Sequence, residues 1–229
     1  MPNFTLTIRE KWYIKRLSMN IKDKINIANI LTFSRIILGF IFFALFLIVR
    51  LNENLSEIQK LIVNSSSFFI FIIAIITDGL DGYFARKNNK VSDFGKHFDP
   101  LADSIFFIII FWSFCVIKLM PIYFFLIILF REAYMHIYLR PSMKKKGKSL
   151  PANIYGKLKT VFQSIFSLII IFMLIINQIL ALFYENMDFL EKLPSIIAGV
   201  SYVLFAIIVV LSIFSLGTYV FQKKDRTIQ

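Results

Sequence analysis

Long apolar segments separated by shorter polar segments dominate the chain. Each apolar segment is long enough to cross a bilayer as a helix, because a hydrocarbon core of ~30 Å needs about 20 helical residues. The predicted spans are Ile27–Val49, Leu61–Phe84, Phe98–Ile117, Ile122–Leu139, Thr160–Phe183 and Ile196–Phe221. The pattern therefore predicts an all-α polytopic membrane protein with six transmembrane helices.

The amino-acid composition narrows the class of protein further. Of the 229 residues, 58% are hydrophobic and only 17% are charged, whereas a soluble domain carries about 45–50% apolar and roughly 25% charged residues. These proportions exclude a soluble globular enzyme, a disordered chain and a disulfide-stapled secreted domain. Because the chain has a single cysteine, Cys115, an intrachain disulfide is impossible.

The basic residues indicate how the spans are oriented. The formal net charge is +12, and 20 of the 26 Lys and Arg residues fall on one side of the predicted membrane, against four on the other. Short loops rich in Lys and Arg stay in the cytoplasm, so we expect both termini and the two long basic loops to be cytoplasmic. No nucleic-acid-binding signature accompanies the charge. We attribute it to topology and to anionic lipid headgroups, and expect no nucleic-acid partner.

The chain divides into three predicted regions. Residues 1–26 form a basic cytoplasmic segment, in which Thr5–Ile25 mixes aromatic and basic residues. This mixture is typical of an amphipathic helix at the membrane interface, and a flexible basic leader is the alternative. We expect residues 27–222 to form one six-helix membrane domain and residues 223–229 to form a cytoplasmic tail.

Around one predicted cytoplasmic hairpin, a stretch of 26 residues includes the aspartates Asp78, Asp81, Asp99 and Asp103. An acidic residue at the bilayer centre costs about 2.5–3.5 kcal/mol, so ionisable residues in spans are candidates for function. At about 100° per residue, the first pair shares one side of the second span, and the second pair shares one face of the third. The two antiparallel helices can therefore aim four carboxylates at each other near the cytoplasmic boundary.

Such a group of carboxylates predicts a cation site. Four carboxylates in a partly dry cleft repel one another, so either some bind protons or a cation neutralises them. Oxygen ligands without cysteine or paired histidine favour Mg²⁺ or Mn²⁺ over zinc, and two such ions would also hold a phosphate-rich substrate. The alternative is that the aspartates form structural ion pairs with Arg86 and the three lysines that follow it.

The pattern Asp-x2-Asp-Gly-x2-Ala-Arg-x8-Gly-x3-Asp-x3-Asp, from Asp78 to Asp103, resembles the signature of the CDP-alcohol phosphatidyltransferases at all eight defined positions. The resemblance implies a six-helix membrane enzyme, usually a homodimer, that depends on Mg²⁺ or Mn²⁺. Such enzymes attack the diphosphate of a CDP-linked lipid with an alcohol and release CMP. The four aspartates would then bind the metal, most simply as two ions, and Asp103 would also be the general base that deprotonates the alcohol. The CDP-lipid would be bound by Gly82, Ala85, Arg86 and Gly95.

Further segments resemble one branch of this family, the phosphatidylglycerophosphate synthases. They are Asn26–Arg35, Phe98–Asp103, Arg131–Glu132 and Gly156–Thr160. Two positions depart from the branch, because Ala28 replaces its usual Pro and Ser104 its usual Lys. The resemblance implies CDP-diacylglycerol and glycerol 3-phosphate as substrates and a bacterial plasma membrane as the setting.

Cationic residues near the fourth and fifth spans are candidates for binding the acceptor's phosphate: Arg131, Arg140, Lys157 and Lys159. A phosphorylated acceptor needs cationic hydrogen-bond donors, which free serine or choline does not. In the alternative, Arg131 and Glu132 form a structural ion pair and the lysines only mark topology. Arg35, also inside a span, either serves the site or extends to the interface. His136 is expected to pack against lipid or other helices.

The sequence leaves two alternative functions open. In the first, the protein is an enzyme of the same family whose acceptor is inositol phosphate, serine, choline or phosphatidylglycerol. In the second, it is a cation transporter, and the carboxylates bind the transported ion. A permeation path needs polar sites through the depth of the bilayer, and the fifth and sixth spans supply almost none.

Overall fold

A computed structural model describes the backbone of residues 27–52, 54–87, 95–145, 154–184 and 188–228. Side chains are described over these ranges except at 27–29, 50, 80–87, 95–97, 144–145, 188 and 221–228. The basic segment 1–26, with its predicted interfacial helix Thr5–Ile25, lies outside the described residues. The backbone of residues 223–228, which the sequence predicts to be a cytoplasmic tail, continues the last helix.

The described residues form helices and no strand. In chain order the helices are α1 (Ile27–Leu51), α2 (Glu57–Lys87), α3 (Gly95–Val116), α4 (Ile122–Ala133), a π-helical segment (Tyr134–Leu139), α5 (Arg140–Lys145), α6 (Ile154–Phe183) and α7 (Asp188–Ile228). Six parts of this structure are long and apolar enough to cross a membrane, and α4, the π-helical segment and most of α5 together make the fourth. The predicted all-α fold with six spans is therefore confirmed.

The helices extend beyond the predicted apolar spans. Helix α6 begins at Ile154 and α7 at Asp188, several residues before the apolar stretches that start at Thr160 and Ile196. Backbone hydrogen bonds continue into polar sequence, whereas hydropathy marks only the part that lipid surrounds. Lys157 and Lys159 are consequently helical residues rather than loop residues.

Phenylalanine side chains fill the centre of the bundle. The fully buried members of this core include Phe42, Phe71, Phe111, Phe114 and Phe205. Helix α1 packs against α2 and α3, and α6 packs against α2 and α7. Gly39 permits the close approach of α1 to α3, because a Cβ atom there would lie 3.2 Å from Cδ2 of Phe106.

One stripe of α1 joins this aromatic core to a polar end. Residues Thr32, Arg35, Gly39, Phe42 and Phe46 follow one another at intervals of three or four, the spacing of a single helix face, and all are buried. The apolar residues on the outer face of α1 are exposed, as lipid-facing positions are in a membrane helix. The stripe therefore carries two polar side chains inward at the end of the bundle where α2 ends and α3 begins.

Candidate active site

Helices α1, α2 and α3 bring together an acidic cluster, which we define as Asp78, Asp99 and Asp103 with Thr32 and Arg35. Nη1 of Arg35 lies 2.9 Å from Oδ1 of Asp78, and the same nitrogen contacts Oδ1 of Asp103. The hydroxyl of Thr32 donates a hydrogen bond of 2.9 Å to Oδ1 of Asp99. Carboxylates from two helices thus converge on side chains of a third.

Arg35 is the buried centre of this cluster. Its side chain is only 3% exposed, so it points into the bundle, whereas the sequence left open whether it would serve the site or extend to the interface. Ion pairs with two carboxylates offset the cost of burying a guanidinium. Asp78 and Asp103 therefore pair with an arginine of α1. The basic side chains of that hairpin, at 86, 87, 90 and 96, lie outside the described residues.

The donor chemistry of the acidic cluster fits a hard divalent cation. It offers carboxylate and hydroxyl oxygens, which Mg²⁺ and Mn²⁺ prefer, and a cationic group already lies between two of the carboxylates. Among the described side chains, no three of His, Cys, Asp and Glu stand close enough to surround a metal ion. The structure does not describe the side chains of Asp81 and Arg86, or the surroundings of Gly82, Ala85 and Gly95. The backbone of residues 81–86 belongs to α2, and α3 begins at residue 95.

A second group of charges, the cation cluster, surrounds Glu132 of α4. Oε1 of Glu132 accepts hydrogen bonds from Nη1 of Arg131 at 2.8 Å and from Nζ of Lys159 at 2.5 Å. Its Oε2 accepts one from the hydroxyl of Ser104 at 2.8 Å. Nη2 of Arg131 donates to Ser215 of α7 at 3.0 Å. One buried carboxylate therefore fixes two buried cations from α4 and α6.

His136, expected to pack against lipid or other helices, lies in this cluster and contacts a side chain of α3. Its Nε2 lies 2.9 Å from the hydroxyl of Ser104 and 3.9 Å from Oε2 of Glu132. The hydroxyl of Ser104 has one proton, which it donates to Glu132. Its oxygen can therefore accept a hydrogen bond from the ring N–H of His136. The neutral side chain of Ser104 thus links α3 to α4.

The π-helical segment brings Arg140 to the same place as Arg131. The amide of Arg140 donates to the carbonyl of Met135, five residues earlier, as in a π-helix. In a regular α-helix, nine residues turn through about 900°, which would put Arg140 on the side opposite Arg131. Both residues nevertheless line one cavity, because the wider turns change the rotation between them.

That cavity has a volume of about 450 Å³ and lies between the two clusters. Asp103 and Ser104 line it from α3, and Tyr219 lines it from α7. All four cations predicted to bind an acceptor phosphate also line it: Arg131, Arg140, Lys157 and Lys159. Gly156 leaves the space for Tyr219, since a Cβ atom there would lie 3.1 Å from its hydroxyl oxygen. A ligand in this cavity would thus touch a carboxylate of the acidic cluster and several cations.

Comparisons with known proteins identify the family of the chain. The family model described as CDP-alcohol phosphatidyltransferase matches residues 25–214. The chain belongs to the CDP-alcohol phosphatidyltransferase family. It is therefore a phosphatidyltransferase enzyme, and membership disfavours the cation transporter considered from the sequence.

Several curated relatives are named CDP-diacylglycerol–glycerol-3-phosphate 3-phosphatidyltransferase. The protein of Treponema pallidum is 33% identical over 154 residues, which is 67% of this chain and 69% of the relative. The protein of Bacillus subtilis is 35% identical over 144 residues, 61% of this chain and 73% of the relative. The protein of Aquifex aeolicus is 35% identical over 143 residues, 61% and 72% of the two chains.

Sequence reasoning missed three contributors to the site of this phosphatidyltransferase. The ion-pair role of Arg35, the bridging role of Glu132 and the contacts of Ser104 each depend on residues far apart in the chain, such as Ser104 and Glu132, which are 28 positions apart. A signal did exist for Arg35 and Glu132, because both are charged residues inside apolar spans. Nothing in the sequence pairs Ser104 with a particular partner.

Proposed function

We propose that this phosphatidyltransferase transfers the phosphatidyl group of CDP-diacylglycerol to glycerol 3-phosphate, forming phosphatidylglycerophosphate and releasing CMP. The observation that carries the proposal is the shared cavity, in which Asp103 and four cationic side chains line one space. The relatives named for this reaction support the same acceptor.

The charges of the cavity favour a phosphorylated acceptor. Four cations line it against two carboxylates, Asp103 and Glu132, so an anion meets a net positive surface. Nε of Arg131 is buried without a hydrogen-bond partner among the described residues, and such donors normally find one. A phosphate oxygen would supply it through a charge-assisted hydrogen bond. Choline, which is itself a cation, would be repelled, and serine would leave most of the donors unused.

Asp103 would act as the general base on the acceptor's hydroxyl group. In the proposed reaction this oxygen bonds to the phosphorus that bears the diacylglycerol, the bond from that phosphorus to the CMP oxygen breaks, and Asp103 takes the hydroxyl proton. Arg131 and Lys159, held by Glu132, orient the acceptor through its phosphate. The cavity keeps the acceptor beside Asp103, so the reaction takes place between groups that are already in position.

The acidic residues would hold the metal of this family. Asp78, Asp81, Asp99 and Asp103 would bind Mg²⁺ or Mn²⁺, as two ions, and the bound metal would offset the negative charge of the diphosphate and of departing CMP. The CDP-lipid would lie against Gly82, Ala85, Arg86 and Gly95. Thr32 and Arg35 hold three of the carboxylates in place from α1.

The setting we propose is the plasma membrane of a bacterium, with the active site and both termini on the cytoplasmic side. The support is the excess of Lys and Arg on that side of the predicted spans, together with the bacterial relatives. We also propose a homodimer, on the family resemblance. A cytoplasmic site allows a membrane-anchored lipid and a water-soluble acceptor to meet at the bilayer boundary.

A CMP-release assay tests this function. The full chain, purified in detergent, is given CDP-diacylglycerol, Mg²⁺ or Mn²⁺, and one acceptor at a time. We expect release with glycerol 3-phosphate and little with glycerol, the matched acceptor that lacks only the phosphate. Equal turnover with glycerol would contradict the phosphate site. Turnover with inositol phosphate, serine or choline in place of glycerol 3-phosphate would overturn the acceptor and keep the family.

A further inference from the structure

We propose that Arg35 is a positioning residue that takes the place of a cation between Asp78 and Asp103 in the metal-free protein and yields these carboxylates when a divalent ion binds. The inference rests on the metal site of the proposed function. It adds that a side chain of the protein itself competes with the metal ion for the carboxylates, and that this side chain belongs to α1, which carries none of the aspartates.

The contacts of Arg35 provide the geometric basis. A single nitrogen, Nη1, touches one carboxylate oxygen of Asp78 and one of Asp103. These two carboxylates come from α2 and α3, and nothing in their spacing along the chain requires one cation to join them. The guanidinium is nearly fully buried, whereas the side chains of Asp78 and Asp103 are 49% and 32% exposed. A metal ion therefore has access to the carboxylates from the side away from Arg35.

Electrostatics explains why such a residue is needed. Without metal, carboxylates that meet at the end of two helices repel each other and favour separation of α2 from α3. One buried guanidinium reduces this repulsion and adds charge-assisted hydrogen bonds. The same contacts oppose metal binding, because a carboxylate oxygen engaged by Arg35 must give up that bond to coordinate an ion. Arg35 thus stabilises the metal-free fold and weakens the affinity for metal.

Thr32 offers a matched control on the same helix. It lies one turn before Arg35, and its uncharged hydroxyl donates a hydrogen bond to Asp99. Thr32→Val removes that bond with little change of shape and with no change of charge. A competitor acts through its charge, so this variant, which removes no charge, should not tighten Mn²⁺ binding as Arg35→Gln does.

Metal binding itself is the experiment, measured on the full chain in detergent. Mn²⁺ is titrated while the electron paramagnetic resonance signal of free Mn²⁺ is recorded, and thermal unfolding is followed with EDTA and with saturating Mn²⁺. We expect Arg35→Gln to bind Mn²⁺ about tenfold more tightly or better, the scale of a hydrogen bond to a charged group. We also expect its Tm to fall in EDTA and to return towards the wild-type value with Mn²⁺.

A measurement on the wild-type protein does not depend on how the variant folds. Mg²⁺ should slow amide hydrogen exchange at the cluster ends of α2 and α3, while exchange around residues 32–38 of α1 rises because Arg35 has released its partners. Slower exchange in all three helices would overturn the inference. Unchanged or weaker Mn²⁺ binding by Arg35→Gln would overturn it as well and leave the proposed reaction standing. Failure of the wild-type protein to bind Mn²⁺ would overturn both the inference and the metal site.

Discussion

The acidic cluster and the cation cluster are built on the same plan with opposite charges. In the first, one arginine joins two carboxylates, and in the second, one glutamate joins two cations. The ion pairs of each cluster join side chains from different helices, so each cluster also holds helices together. Two adjacent residues of α3 contact the two clusters, because Asp103 pairs with Arg35 and Ser104 donates a hydrogen bond to Glu132.

The difference between the clusters lies in what their excess charge can bind. The acidic cluster keeps uncompensated carboxylate charge and suits a metal ion, whereas the cation cluster keeps positive charge and suits a phosphate. Opposite charges at the two walls of one cavity suit a reaction between a metal-bound diphosphate and an anionic acceptor. Variants that alter one cluster should therefore change different properties from variants that alter the other.

The largest effect is expected in the acidic cluster, from Asp103→Asn. Asparagine keeps the size of the side chain but cannot take up the hydroxyl proton, and general-base catalysis contributes about 10²–10⁴-fold to a rate. We expect kcat for CMP release to fall by about that factor, while CDP-diacylglycerol still binds. Turnover at the wild-type rate would remove the catalytic role of Asp103.

The next effect concerns stability and tests the centre of the cation cluster. Glu132→Gln keeps the shape of the side chain and leaves Arg131 and Lys159 buried without their shared counter-charge. Removing one partner of a buried ion pair costs about 3–5 kcal/mol, so thermal unfolding in detergent should begin at a clearly lower temperature. Glu191→Gln, at an exposed position of α7, is the control and should unfold like wild type. Equal unfolding temperatures for both variants would contradict the bridging role of Glu132.

A smaller effect separates the acceptor from the lipid. Arg131→Ala removes a buried donor worth about 1.5–3 kcal/mol towards a charged group, and the KM for glycerol 3-phosphate should rise about tenfold or more. The KM for CDP-diacylglycerol should change much less. Lys192→Ala, which removes an exposed cation of α7, is the matched loss of charge and should change neither value. An unchanged KM for glycerol 3-phosphate would mean that Arg131 does not bind the acceptor and only forms a structural ion pair with Glu132.

The smallest effect is expected at the mouth of the cavity. Lys157 lines it but is exposed to solvent, and exposed ion pairs contribute about 0.2–1 kcal/mol. Lys157→Ala should therefore raise the acceptor KM by no more than about fivefold, and the difference from wild type should shrink at high salt. A loss as large as that of Arg131→Ala would mean that the exposed end of the cavity, and not its buried end, binds the phosphate.

The fold was largely predictable from the sequence because the bilayer imposes a simple rule. A segment of about 20 apolar residues must be a helix to satisfy its backbone in lipid, and all six spans follow it. Helix ends in polar sequence do not follow from hydropathy. Lys159 illustrates the limit, since it reads as a flank of the span but is buried in α6 beside Glu132.

The site was predictable only where its residues are close in the chain. Spacing alone placed Asp99 and Asp103 on one face of α3. It did not reveal that Asp103 would meet Arg35, 68 residues earlier, because that contact depends on how α1 packs against α3. Nor did helical periodicity predict the place of Arg140. A regular α-helix would have turned it away from Arg131, and only the π-helical segment brings both into one cavity.

A structure of the protein with Mn²⁺ and glycerol 3-phosphate would test most directly whether the two clusters form one active site. The account predicts anomalous density for Mn²⁺ at the carboxylates of Asp78 and Asp103, and phosphate density against Arg131 and Lys159 in the cavity that Asp103 lines. Manganese bound away from these carboxylates, or a phosphate bound outside this cavity, would contradict it.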